Sequence, residues 1–364
     1  SALLGTGVTA QGGRLHRASL PERVKGWVMS NDEITEENRA DVIAFSGGKD
    51  SLATLLVAIE REIDFSVVFA DTGNEHPLTY EYVDQIEHLL GIRIHRVKAD
   101  FADAMKRKKR YIEKHWHKEF STTRWGVTKT RRALTPEEIQ TTLELMKPSG
   151  NPFLDLLIQK GMMPTPRQKF CSIELKQIPV WDQIYAPLIE LGLRPICWQG
   201  VRAQESAARS HYEPVEENPD GLIFYRPLLL WTHDDVFAIA KRHGVPPNPL
   251  YQQGMSRVGC MPCINCSSRE LSEIARRFPE QIDRIAEWEK LTAKATRHPL
   301  SRDSKIVSFF PFRESEDQGR AFSIHDAVAA ANTKKAVAEW RNHEWYNDDA
   351  DPDACSAVYP IVCE

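Results

Sequence analysis

Ser46-Gly47-Gly48-Lys49-Asp50-Ser51 closes one apolar run, Val42-Ile43-Ala44-Phe45, and opens another, Leu52 to Ala58. Two glycines let the backbone turn sharply and let a ligand approach it closely. A helix that begins at this turn offers unpaired N–H groups and the positive end of its dipole, and both suit an anion. The hydroxyls of Ser46 and Ser51 and the ammonium of Lys49 add the donors that a phosphate or pyrophosphate uses. The spacing is not that of the Walker loop, whose longer glycine segment ends in Lys-Ser/Thr. An ordinary glycine turn is the plain alternative, and the strand–turn–helix context favours the phosphate reading.

Cysteines supply the second chemistry. Cys260, Cys263 and Cys266 place three thiols within seven residues, and Cys171 is the candidate for a fourth. Overlapping Cys-x2-Cys-x2-Cys is ferredoxin-like spacing, whereas zinc sites more often use two separated pairs. Four thiolates without a ligating His nearby favour an iron–sulfur cluster, with zinc and no metal as the alternatives. Cys197 lies in an apolar run and reads as core. His115 and His117 flank Trp116, face apart in a helix, and are poor ligands. Seven cysteines in a chain of 364 residues argue against a disulfide framework and for a reducing compartment, so the cytoplasm is expected.

These groups can meet only on a suitable scaffold. Val42–Phe45, Ser66–Ala70 and Ile92–Val97 read as strands, with helices at Leu52–Arg61 and Leu78–Leu90 between them. Such alternation implies βαβ units and a parallel sheet, whose ligands bind at the carboxyl ends of the strands. Ser46–Ser51 and Asp71-Thr72-Gly73 both fall at such ends. Leu193–Gly200 is again sheet-like, and Thr232–His243 reads as a helix capped by Thr232 and stopped by Gly244. Phe101–Pro166 reads as a basic helical insertion, and Glu270–Arg297 and Ile324–Trp340 read as amphipathic helices, before an acidic end at Asn347–Pro352. The expected fold class is α/β with a doubly wound, mostly parallel sheet. Its parts are an N-terminal extension (1–38), a nucleotide-binding domain (39–266) with the insertion at about 101–165, and a helical C-terminal extension (267–364).

Composition sets the outer bounds. Hydrophobic residues at 41% and charged residues at 27% are those of an ordinary globular protein. No apolar run approaches the ~20 residues that span a bilayer, so no membrane partner is expected. The Gly-rich, polar N-terminus lacks the apolar stretch of a secretion signal. The net charge of −4 hides an asymmetry: Lys106–Arg132 holds eleven Lys/Arg against Glu113 and Glu119, a local +9 that leaves −13 elsewhere. With Tyr111, Trp116 and Trp125 interleaved, this segment suits contact with a nucleic-acid backbone or single strand. A solvated lysine-rich face is the plain alternative.

The loop Ser46–Ser51 resembles the SGGxDS pyrophosphate loop of the N-type ATP pyrophosphatase and PAPS-reductase superfamily. Phe69–Gly73 is similar to the DTG element of PAPS reductases, and Phe170–Pro179 to their Cys-containing segment that ends in Lys/Arg and Pro. Gly200–Arg209 resembles their GxRxxxSxxR segment, and Pro227–Tyr251 with Gly259–Cys263 resembles their WT..DV, NPLY and GCxPC stretch. The resemblance runs in one order across residues 39 to 266 and implies an adenine nucleotide alpha hydrolase-like fold. It implies an adenine nucleotide (ATP, APS or PAPS, with Mg) whose phosphates lie on Ser46, Gly47, Gly48, Lys49 and Ser51. Asp71, Thr72 and Gly73 would border the ribose and base, and Lys176, Gly200 and Arg202 would complete the nucleotide site. Lys49, Asp50, Arg202 and Arg209 would carry catalysis. If their segment is helical, Arg202 and Arg209, two turns apart, share a face and form a fork for sulfate or phosphate, with a solvated face as the alternative. APS reductases bind a 4Fe-4S cluster through a Cys-Cys pair plus Cys-x2-Cys. Here Phe170 stands at the first position of the pair, so one ligand is missing beside Cys171, Cys260 and Cys263, and Cys266, which the family pattern does not require, could replace it.

One departure bears on the reaction. The reductases carry a C-terminal ECGLH-like motif whose Cys attacks the sulfonyl sulfur, and this chain has none. Cys363 and Cys355 lack a neighbouring Lys, Arg or His that would lower their pKa. The expected activity is therefore ATP-pyrophosphatase-type adenylation or sulfur transfer linked to nucleic-acid modification or a CRISPR-type defence system, with a redox or sulfur-donor protein as partner. The alternatives are thiol-dependent reduction of APS or PAPS to sulfite, making the enzyme an oxidoreductase rather than a transferase, and an inactive nucleotide-binding scaffold.

Overall fold

The computed structural model describes residues 35–124, 127–166, 168–297 and 323–332. Strands β1 (Arg39–Ala44), β2 (Phe65–Ala70) and β3 (Ile94–Val97) form where β-branched and aromatic residues cluster. Successive residues enter two different apolar cores, because both faces of a parallel sheet are covered. Ile43, Val67 and Ile94 pack with Leu52 and Leu56 of α1 (Lys49–Glu60) and Ile86 of α2 (Pro77–Leu90). Val42, Val68 and Val97 face Val180 and Tyr185 of a helical run at 170–190, which contains two π-helical turns.

The strand order is β3-β2-β1-β6-β8-β7, with β6 (Arg194–Trp198), β7 (Val215–Glu217) and β8 (Ile223–Tyr225). Every pairing is parallel except β7 with β8. From β1 the chain moves to β2 on one side, while β6 lies on the other with Val42 opposite Cys197 and Ile43 opposite Trp198. The loops leaving β1 and β6 therefore diverge, and a crevice opens between them at the switch point of the sheet. This is the expected α/β class. Helix α6 (His233–Arg242) begins as expected at Thr232, whose side chain forms a capping box with Asp235.

Three local expectations are corrected. The insertion is not wholly helical: between α3 (Ala102–His115) and α4 (Pro136–Leu145) it forms a hairpin, β4 (Phe120–Arg124) with β5 (Val127–Arg131). Cross-strand pairs Ser121–Thr130 and Thr123–Thr128 hydrogen-bond at 2.8 and 2.9 Å, the β-branched chemistry that the many charges obscured. The stretch Glu270–Arg297 is two helices, α7 (Ser268–Arg277) and α8 (Pro279–Lys294), because Pro279 disfavours helical geometry at Phe278. Arg202 and Arg209 do not share a helix; Arg202 caps one short 3-10 turn and Arg209 opens another.

A third core joins α3 and α5 (Pro152–Lys160) with Cys171, Cys263 and Cys266 and with α7, α8 and α9 (Ile324–Ala331). The expected helix from Ile324 to Trp340 is described only in this first part. Residues 1–34, Trp125, the acidic end, Cys355 and Cys363 lie outside the described residues.

Leu56 is fully buried in α1, whereas Leu191 is 63% exposed. Leu56→Ala is expected to lower the unfolding free energy by about 2–5 kcal/mol and Leu191→Ala by less than about 0.5 kcal/mol, measured by urea denaturation.

Candidate active site

Gly47 adopts φ +76°, a left-handed conformation that glycine tolerates, and extended Gly48 is the N-cap of α1 without a capping side chain. Ser51 folds back on the loop: its hydroxyl accepts from the Ser46 N–H at 3.1 Å and donates to the Gly48 carbonyl at 2.9 Å. Ser46 Oγ lies 3.2 Å from Ser51 Oγ. The Lys49 N–H donates to Tyr251 Oη at 2.9 Å, and Asn248 Nδ2 donates to the Gly47 carbonyl at 3.3 Å. The loop is thus shaped by its own serine and by two side chains from the 248–251 turn. Asn248 and Tyr251 were visible in the sequence only as part of a motif, and their contact with the loop is a product of the fold.

Lys49 Nζ lies 3.0 Å from Asp50 Oδ2, and Arg202 Nε donates to Asp50 Oδ1 at 2.6 Å. Arg202 also reaches Glu205 at 3.3 Å, and Glu205 accepts in turn from Arg209. The two arginines meet on one carboxylate although no helix joins them. Three cations and two carboxylates thus form a continuous chain across the crevice, with Arg202 and Arg209 both buried. Lys49 itself stands in the first turn of α1, at the positive end of its dipole. Gly200 lets the second loop close onto the first: a Cβ there would stand 2.8 Å from the Asp50 carbonyl carbon and 3.0 Å from Ser51 N.

The loop after β2 is closed on itself. Asp71 Oδ1 accepts from Tyr80 Oη at 2.7 Å and from the Gly73 N–H at 3.0 Å, and Oδ2 lies 2.7 Å from Lys98 Nζ. Tyr80 also donates to Glu75 at 3.0 Å. Burial and the two carboxylates push its phenol well above the usual range, so it stays a donor. Thr72 Oγ1 donates to Glu75 Oε1 at 2.7 Å and lies 3.4 Å from Cys260 Sγ. Gly73, at φ +78°, leaves space that Asn151 fills, and Asn151 Nδ2 donates to the Gly73 carbonyl at 2.7 Å.

Cys171, Cys260, Cys263 and Lys176 line one small cavity with Thr72 and Asn74. Cys266 is buried but is not part of that lining. Burial, together with mutual repulsion among the thiols, pushes Cys171 above its ordinary value; burial pushes Cys260 up to about 12, opposed by Lys176. Cys266 is raised by burial and by Glu270. The donor chemistry suits a soft metal. The space does not: it measures about 10 Å³, the room of one water at most, and among the described residues no set of three or more metal-capable side chains stands at ligand spacing. As packed, the four cysteines do not form a cluster site. None of the five described cysteines is in a disulfide, and Cys197 is core, as expected.

The basic segment Lys106–Arg132 forms α3 and the hairpin and lines neither the phosphate loop nor the thiol cavity. Among the described residues no helix is long and apolar enough to cross a membrane.

A family model described as the phosphoadenosine phosphosulfate reductase domain matches residues 40–266. An uncharacterized 37.8 kDa protein of Escherichia phage 186 is 44% identical over 338 residues, covering 90% of this chain and 98% of the phage protein. The phosphoadenosine 5'-phosphosulfate reductase of Aliivibrio fischeri is 22% identical over 245 residues, 67% of this chain and 74% of that one. Among solved structures, a phosphoadenylyl-sulfate (PAPS) reductase from Candida auris, in a phosphate complex, superposes with a TM-score of 0.36 and 17% identity. The superposition covers 61% of this chain and 81% of the other.

The atoms that a side chain at Gly200 would meet are backbone atoms of the phosphate loop and cannot rotate away. Gly200→Ala is expected to cost about 1–3 kcal/mol of stability and to speed amide hydrogen exchange at Lys49–Leu52, read by urea denaturation and mass spectrometry.

Proposed function

This chain belongs to the phosphoadenosine phosphosulfate reductase domain family, and from that premise we propose that it binds an adenine nucleotide across the crevice between β1 and β6. The proposed reaction is adenylation with release of pyrophosphate. The observation that carries this reading is the run of ion pairs Lys49–Asp50–Arg202–Glu205–Arg209, which begins at the glycine turn and the N-terminus of α1.

In this scheme the nucleotide phosphates lie over Gly47–Ser51. An acceptor oxygen attacks the α-phosphorus, the bond to the bridging oxygen breaks, and pyrophosphate leaves with the electron pair. Negative charge grows on the departing oxygens, where the loop N–H groups, Lys49 and Arg202 stabilise it. Arg209, 1% exposed, is a positioning residue that holds Glu205 and through it Arg202. Asp50 is engaged by Lys49 and Arg202, so magnesium would arrive with the nucleotide rather than wait on this carboxylate. The base and ribose lie near Asp71–Gly73, with sugar hydroxyls exchanging with Tyr80 or Lys98 for the Asp71 carboxylate. Nucleic acid held by Lys106–Arg132 is the proposed acceptor, in a reducing cytoplasm.

Calorimetry with ATP, APS and PAPS tests the site. Lys49→Ala with Ser51→Ala is expected to weaken the preferred nucleotide by at least about tenfold, since a charge-assisted contact is worth ~1.5–3 kcal/mol. Unchanged affinity sinks the site. ATP-dependent pyrophosphate release without sulfite is the expected turnover; sulfite release from APS or PAPS that Cys363→Ser abolishes would establish sulfonucleotide reduction instead.

No step is routed through the thiol cavity. An iron–sulfur cluster, with zinc as the alternative, is the proposal that the cysteine spacing supports, and it requires the Cys260–Cys266 segment to open. Protein purified anaerobically is then expected to be brown and to carry about four irons per chain. Stoichiometric zinc would replace the cluster, and metal-free protein with titratable thiols would mean that the segment stays packed.

A further inference from the structure

A cavity outside the crevice lies in the insertion and measures about 180 Å³. That exceeds the ~150 Å³ space known to accept a benzene ring and falls short of a drug-sized pocket. Its walls come from α3, from both strands of the hairpin, from the end of α5 and from Thr296–Arg297 after α8. Neither the phosphate loop nor the loop after β2 contributes a residue.

Two features of the lining point to one ligand chemistry. The first is aromatic: Trp116 is buried as a wall, while Tyr111 and Phe120 remain 49% and 44% exposed. The Tyr111 ring is held by His115 at a centroid distance of 4.5 Å. The second is cationic. Lys108 donates to the Gln159 and Ile158 carbonyls at 2.6 and 3.3 Å, at the negative end of α5. Burial and the nearby Lys160 push its ammonium down to about 8. Lys160 pairs with Glu174. Arg297 donates to the carbonyls of Lys118, Arg131 and Arg132 and so fixes the base of the hairpin. Arg131 completes the ring of four cations. Like charges gathered in a partly dry pocket repel one another, and an anion relieves that cost.

The charge continues beyond the cavity. Arg107, Tyr111 and Lys114 stand at i, i+4 and i+7, one exposed stripe of α3 in which the pocket aromatic is flanked by cations. Fourteen residues of helix extend ~21 Å, longer than the spacing of several phosphates along a strand. An acidic peptide would answer the charge but not the two open rings, and a lone nucleotide would not reach along the stripe.

We propose that this pocket takes one base of a single-stranded nucleic acid, stacked on Tyr111 and Phe120, with its flanking phosphates on Arg131, Lys160 and the α3 stripe. This deepens the acceptor proposal above and rests on it for its purpose, but it concerns binding alone.

The test is fluorescence anisotropy with a labelled oligothymidylate of about 12 nucleotides. Tyr111→Ala and Phe120→Ala are each expected to weaken binding about tenfold, the loss of one stacking contact, while Tyr111→Phe stays within about twofold of wild type. Arg131→Ala is expected to reduce the slope of log affinity against log salt by about 0.7. Thermal melts of these variants should superimpose on wild type. Lys49→Ala should bind the strand normally, so failure of the nucleotide site and failure of this one read out separately. Strand affinity unchanged in the Tyr111→Ala, Phe120→Ala double variant overturns the proposal. So does a duplex that binds as tightly as the single strand, or thymidine monophosphate that displaces the strand at equal nucleotide concentration.

Discussion

The ion pair between Asp50 and Arg202 ties together two loops that leave adjacent parallel strands in opposite senses. The sheet ladder holds β1 to β6 only as far as Ile43 and Trp198; beyond it the chain departs both ways, and the ion pair spans the two loops. Gly200 permits the approach, Glu205 orients Arg202, and buried Arg209 pairs with Glu205 in turn. Each charge in the chain needs its neighbour, because a buried charge that loses its partner is far costlier than the pair is beneficial. The arrangement is rigid for that reason, and it holds Lys49 in place at the start of α1.

The loop after β2 is the complement. Asp71, Glu75, Tyr80 and Lys98 satisfy one another, so this side is sealed where the other is electrostatically open. Thr72 then carries the same network to Cys260, and Asn74 Nδ2 donates to the Pro262 carbonyl at 3.1 Å. The thiol cavity is therefore not an appendage to the sheet. A rearrangement of the cysteine segment would pull on the loop that follows β2.

Much of this was legible in the sequence because it is local. A glycine turn between two apolar runs, βαβ alternation and the Thr232 cap each depend on a few neighbouring residues. What was not legible depends on distance in sequence or on competition between signals. Arg202 and Arg209 were expected to meet through helical spacing; they meet on Glu205, a partner that spacing could not nominate. The hairpin was hidden because Lys and Arg dominate a segment whose Ser and Thr set the backbone. Asn248 and Tyr251 act some two hundred residues from the loop they support, at a separation no local pattern records. Cys266 has ligand spacing on paper, yet its side chain does not reach the cavity the other three share.

The family match ends at residue 266, but the third core does not. Leu271, Ile274, Ile285 and Ile324 share it with Met105, Phe153 and Cys263, and Arg284 of α8 donates to Asn74 at 2.8 Å and to the Met261 carbonyl at 3.0 Å. The family domain and the folded core thus have different borders. In this chain the segment that follows that border is no free module: it fills the core and steadies Asn74 from behind.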